Sequence, residues 1–159
     1  IVVLLPLAAH TVWGIKRLFT ARVNWPRYGY LANLRYVVQR LSALGLLAFL
    51  GAHLWLAMIE PRLLRGQAEE FGALAREMRF HGPTLVVYIL GVLAVAYHLA
   101  NGLATWAMGW GVSSTRRSLR MIEGGSYVLF ALLLAMGWGA IYALWAAGGA
   151  LGAGPQHLL

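Results

Sequence analysis

The sequence predicts an all-α membrane protein, a bundle of transmembrane helices, and three observations predict it. Of its 159 residues 60% are hydrophobic and 11% charged, with a mean hydropathy of +0.67. That is too apolar for an ordinary soluble domain. The apolar residues gather into four blocks, Ile1 to about Ile15, Tyr36 to Ile59, Pro83 to Trp110 and Gly125 to Ala147. The last three exceed the ~20 residues that cross ~30 Å of hydrocarbon at ~1.5 Å per residue. The charge is also segregated. Lys16, Arg17, Arg22, Arg27, Arg35 and Arg40 flank the first connection and Arg116, Arg117 and Arg120 the third, whereas Arg62, Arg65, Arg76 and Arg79 in the second are balanced by Glu60, Glu69, Glu70 and Glu77. By the positive-inside rule the first and third connections face the cytoplasm and the second faces outward. The net charge of +8 is therefore topological, and no nucleic-acid partner is expected.

The expected organisation is one transmembrane domain over 1–159, with spans at about 1–20, 35–59, 83–110 and 124–147 and an outward amphipathic connection at 60–82. The first block is short, lacks an initiator methionine and has no basic n-region, so it does not read as a signal peptide. It is expected to be the truncated end of a span in a longer native chain. Cysteine is absent, which excludes disulfides, thiolate-bound iron–sulfur clusters in this chain and covalent haem attachment. No aspartate occurs, and the five glutamates fall outside the four blocks, so a buried carboxylate relay of the kind a proton pump uses is not expected. No phosphate-binding, metalloprotease or Ser/His/Asp pattern is present.

In the first span, Pro6-Leu7-Ala8-Ala9-His10-Thr11-Val12-Trp13-Gly14 places an imidazole in hydrocarbon, on a face shared with Trp13, Gly14 and Arg17. Such a histidine is costly unless it binds something, and a neutral one facing the bundle is a good metal ligand. The connection that follows mixes aromatics and arginines, including Trp25, Arg27, Tyr28 and Tyr30. It reads as an interfacial belt or as a basic surface that docks a soluble partner.

The second span carries His53 about 20 Å along the helix from Arg40, near the outer end. Counting back along its face gives Phe49, Gly45 or Leu46, Ser42, Gln39 and Arg35, with Arg40 to one side. Phe49 and Gly45 are expected to border an outer cofactor. Gln39, Arg35 and Arg40 are expected to meet the carboxylates of an inner one, which arginine forks suit, with the two arginines equally placed to anchor the helix at the interface. In the outward connection, Leu63, Leu64, Phe71, Leu74 and Met78 interrupt the charges, as in a short helix lying at the membrane surface. His81 precedes Gly82-Pro83 and reads as a loop residue, and His157 lies in a Gly/Pro-containing tail.

The third span contains Ala96-Tyr97-His98-Leu99-Ala100-Asn101-Gly102-Leu103. Helical spacing puts Asn101, Gly102 and Thr105 on the face of His98. A glycine one turn from a histidine leaves room for a flat macrocycle, and the ligand best suited to the site is haem iron. Small residues equally suit close helix packing, so Gly102 alone decides nothing. The His-x-x-x-Gly pattern occurs twice, at His10/Gly14 and His98/Gly102, on spans running in the same direction, and the two histidines are taken as an axial pair for one b-type haem. After Trp110-Gly111-Val112, one of Ser113, Ser114 and Thr115 is expected to cap the last helix. The fourth span carries no candidate ligand and packs on the bundle or lipid.

Taken in order, Pro6 to Gly14, Val38-Gln39-Arg40-Leu41-Ser42 followed by His53-Leu54-Trp55, Tyr97 to Leu103, Trp110-Gly111-Val112 and Ser118 to Arg120 resemble one family over nearly the whole chain. It is the di-haem cytochrome b membrane anchor of succinate:quinone oxidoreductases, the single-anchor type of bacilli and related bacteria. The resemblance implies five helices in the native chain and two b haems, with His10 and His98 on the proximal haem and His53 on one side of the distal haem. It places the fourth axial histidine on a helix before Ile1. It also implies a flavoprotein (FAD) subunit and an iron–sulfur subunit on the cytoplasmic face, a bacterial cytoplasmic membrane location and a possible higher oligomer. Electrons would pass to a membrane quinone, menaquinone by analogy, in succinate dehydrogenase of the tricarboxylic acid cycle (respiratory complex II), with the dicarboxylate chemistry on a partner. The outer ends of the second and third spans, near Trp55 and Glu60, are candidates for the quinone pocket.

Three other readings stand beside it. Quinol:fumarate reduction fits the same residues in reverse. A haem b subunit of another membrane dehydrogenase lacks this order of motifs. A cofactor-free structural or transport subunit, its histidines only bridging helices, is weakened by the absence of buried carboxylates.

Overall fold

The computed structural model describes residues 2–22, 24 and 26–152, and among these all regular structure is helical. Ile1, Trp25 and His157 lie outside the described residues. Six α-helices follow in order: α1 Leu4–Thr20, α2 Leu31–Leu54, α3 Glu60–Leu64, α4 Phe71–Phe80, α5 Gly82–Gly109 and α6 Arg116–Leu151. A π-helical turn, Trp55–Ile59, joins α2 to α3 without a break.

Three stretches are long and apolar enough to cross a bilayer, Leu31–Leu64, Gly82–Gly109 and Arg116–Leu151. The first of the four expected spans is a helix of 17 residues and is not among them. The π turn has a local cause. Pro61 has no N–H to give the carbonyl of residue 57, and its ring crowds that carbonyl. The ladder widens just before it, where the Glu60 N–H bonds the Trp55 carbonyl five residues back.

Small residues set how closely the long helices approach. Where α2 crosses α5, a Cβ on Gly45 would come within 3.0 Å of Ala94 Cβ, and one on Gly91 would overlap the Phe49 ring. Phe49 and Gly45, expected to border an outer cofactor, are thus spent largely on this crossing. On the other side of α5, Gly137 of α6 receives Val92, Ser126 Oγ donates to the Ala100 carbonyl at 2.8 Å, and Trp138 Nε1 donates to the Ile89 carbonyl at 3.1 Å. These side chains satisfy carbonyl lone pairs that hydrocarbon cannot.

The amphipathic connection, expected as a short helix at the membrane surface, also packs on protein. Its apolar face finds a protein partner: α4 packs on the far end of α6, with Ala75 and Met78 fully buried. A side chain at Gly148 would collide with the Ala75 carbonyl, and the Arg79 guanidinium lies 3.7 Å over the Trp145 ring. Met78, Tyr88 and Ile141 form the core that ties α4, α5 and α6 together. His81 is the N-cap residue of α5, bonded through Nδ1 to Thr84 Oγ1 at 2.7 Å and paired with Glu77 at 3.0 Å.

Of the three residues expected to cap the last helix, Thr115 does so. Its hydroxyl accepts from the Ser118 N–H, and Ser118 returns the bond to the Thr115 N–H. α1 stands apart from this bundle, and none of its residues is buried.

Candidate functional site

α1 and α5 meet through two imidazoles. The His10 and His98 rings lie with centroids 6.3 Å apart and planes at 80°. One metal held between two imidazoles by bonds of ~2 Å sets ring centroids about 6 Å apart, and the observed separation leaves room for one.

Space flanks both rings. A Cβ at Gly14 would meet nothing within 4 Å, and one at Gly102 would meet only Gln39 Nε2, at 3.4 Å. The donor set is two neutral nitrogens with no cysteine in the chain, which suits a non-covalent b-type haem. Among the described residues no three His, Cys, Asp or Glu side chains converge as a multidentate metal site. A bis-histidine haem needs none.

The surroundings of His98 come from α2 and from its own helix. Ser42, buried, donates its hydroxyl to the Gln39 carbonyl at 2.9 Å and faces His98 Nδ1 at 3.4 Å. Gln39 Nε2 donates to the His98 carbonyl at 3.1 Å and lies 3.3 Å from Nδ1. Asn101 Nδ2 donates to Gln39 Oε1 at 2.7 Å. Thr105, on the same face, turns its hydroxyl back on the Asn101 and Gly102 carbonyls at 3.0 and 2.9 Å.

His53 sits on the same face of α2, nearer its other end. The Phe49 ring stacks on it at 5.7 Å, and its Nδ1 lies 3.1 Å from Tyr88 Oη on α5. Both α2–α5 contacts therefore hold an imidazole by Nδ1, which is how ligand histidines are oriented from behind.

The arginines are placed differently. Arg35 is committed to α6, where Nη1 bonds Glu123 Oε1 at 2.6 Å and Nη2 bonds the Tyr127 hydroxyl. Arg40 folds back over the ring of Tyr36 at 3.3 Å and donates to its carbonyl at 3.1 Å, leaving a buried Nε without a partner. Arg17 lies in the last turn of α1, seven residues beyond His10. Gln39, expected to meet a haem carboxylate, is bonded to the His98 backbone and faces its ring.

A cavity of about 420 Å³ lies where α2, α5 and α6 meet at the basic end. Ala32, Ala100 and Ala104 make room for it, Tyr97 and Phe130 wall it at 6.2 Å edge to face, and the Arg35–Glu123–Tyr127 cluster closes one side. Gln39 and Asn101 line it as well, so one amide touches both the cavity and the His98 ring. The residues missed by sequence reading are Tyr88, Glu123 and Tyr127. A tyrosine within an apolar span, as Tyr88 is near the outer end of α5, was the signal for the first; the pairing of Arg35 with a residue 88 positions away leaves no local mark.

Comparison with known proteins gives two matches. The family model described as succinate dehydrogenase/fumarate reductase transmembrane subunit covers residues 22–133. The succinate dehydrogenase cytochrome b558 subunit of Bacillus subtilis (strain 168) is 33% identical over 143 residues, spanning 89% of this chain and 69% of that protein. No solved structure matches this chain.

Proposed function

The chain belongs to the succinate dehydrogenase/fumarate reductase transmembrane subunit family, and on that premise we propose that it is a cytochrome b membrane anchor carrying electrons between partner subunits and a membrane quinone. One observation carries the haem assignment. It is the His10–His98 pair, 6.3 Å between centroids, on two helices that touch through little else.

His10 and His98 would hold one b haem, with Gly14 and Gly102 giving its faces room. His53, oriented by Tyr88, would hold one side of a second. Haem iron, when bound, supplies one-electron redox chemistry. The chain's own part is to orient the imidazoles, exclude water and provide a low-dielectric shell. Succinate oxidation or fumarate reduction is assigned to a flavoprotein and an iron–sulfur partner, docked on the arginine-rich end at the cytoplasmic face of a bacterial membrane. The quinone, menaquinone by analogy, is assigned to the α2–α5–α6 cavity. Its volume and apolar walls suit a ring with a few polar contacts, whereas Trp55, the earlier candidate, is half exposed on the outer surface of the bundle.

The test is a pyridine haemochrome assay on the purified complex. Two b haems per chain are expected. One would remove His53 from the ligand set, and none would overturn the reading in favour of a structural anchor.

A further inference from the structure

His98 Nδ1 faces two groups of opposite polarity, and this goes beyond simple anchoring of the ring. The Ser42 hydroxyl has one proton, already given to the Gln39 carbonyl at 2.9 Å, so it presents a lone pair to Nδ1 at 3.4 Å. The Gln39 amide is fixed the other way round. Its oxygen is taken by Asn101 Nδ2 at 2.7 Å, which turns its NH₂ toward His98, bonded to the carbonyl at 3.1 Å and 3.3 Å from Nδ1.

An imidazole nitrogen without a proton is an acceptor, and one with a proton is a donor. Gln39 therefore suits the ring when its proton is on Nε2, and Ser42 suits it when the proton is on Nδ1. Ligation through Nε2 leaves the proton on Nδ1. On the haem reading proposed above, we infer that Ser42 is a positioning residue for His98: it accepts the Nδ1 proton in the liganded state and sets how strongly the ring donates to iron, while Gln39 holds the ring in the metal-free tautomer. His53 is served differently, by a single tyrosine hydroxyl that can both give and accept. The two imidazoles are tuned by different chemistry.

An acceptor behind a ligand histidine raises its basicity, which favours the ferric state. In the purified complex, Ser42→Ala is expected to raise the midpoint potential of the His98 haem and to shift its low-field electron paramagnetic resonance signal, with the second haem unmoved. Ser42→Thr, which keeps an acceptor, is expected to restore both. Gln39→Glu is expected to act in the opposite sense, lowering the midpoint by presenting a second acceptor, and it keeps the idea testable should Ser42→Ala fail to retain haem. Unchanged potential and resonance in Ser42→Ala at full haem content would overturn the inference, as would a raised or unchanged midpoint in Gln39→Glu. A wild-type complex without haem would overturn the haem reading itself, a failure seen before any variant is made.

Discussion

At the scale of single residues, the proposed function rests on imidazoles set within apolar helices and on what stands behind each ring. His98→Ala is expected to remove one haem absorbance while the other remains, read by redox-resolved visible spectra of purified complex. Retention of both signals would take His98 out of the ligand set. Tyr88→Phe removes the partner of His53 at 3.1 Å with almost no change in volume. It is expected to leave helix packing intact and to alter only the spectrum of the haem assigned to His53. That His10 and His98 come together was legible in the sequence because an ionisable ring inside an apolar block is rare. What Gln39 and Arg35 do was not. Gln39 was expected to meet a haem carboxylate, and Arg35 either to do so or to anchor the helix at the interface, but a side chain's partner depends on which helix faces it: Gln39 faces His98 and Arg35 faces Glu123. Spacing along one helix carries no information about its neighbour.

At the scale of elements, the long helices were readable because each keeps its apolar composition well past the length a bilayer demands. The last cap was readable to within Ser113, Ser114 and Thr115, and Thr115 takes it because Ser118 stands at the spacing of a reciprocal cap. The seat of α4 was not. Its amphipathic pattern fits a lipid surface or a protein face equally, and the choice is made by Gly148, more than sixty residues away, which admits the Ala75 carbonyl. Packing at such glycines gives a graded prediction. Gly91→Val must push the Phe49 ring aside and is expected to cost ~1–3 kcal/mol. Gly139→Ala, where a Cβ meets nothing within 4 Å, is expected to be neutral or to stabilise by up to ~1 kcal/mol through helix propensity. Denaturation of the detergent-solubilised complex followed by haem absorbance would rank the two. A larger loss in Gly139→Ala than in Gly91→Val would contradict the α2–α5 crossing as described.

At the scale of the molecule, charge orients the bundle in its membrane. The arginine-rich connections lie together at one end, and α4 with its Glu77–His81 pair lies at the other. A chain without cysteine is a convenient background for testing this. Single cysteines at Arg27 and Ser114 are expected to resist a membrane-impermeant maleimide applied to intact cells, and one at Gln67 is expected to react. The reverse pattern would invert the topology and move the partner-docking face to the outside.

The isolation of α1 has a meaning for how the protein is made. Among the described residues α1 buries none of its own side chains and meets α5 through an imidazole. On the haem reading, the iron would be the joint that fastens it, and binding would contribute directly to folding, as at structural metal sites. Starving a growing cell of haem would then leave α2, α5 and α6 assembled and α1 without that joint, more open to proteases. Supply of the prosthetic group would set how much anchor survives to receive its partners.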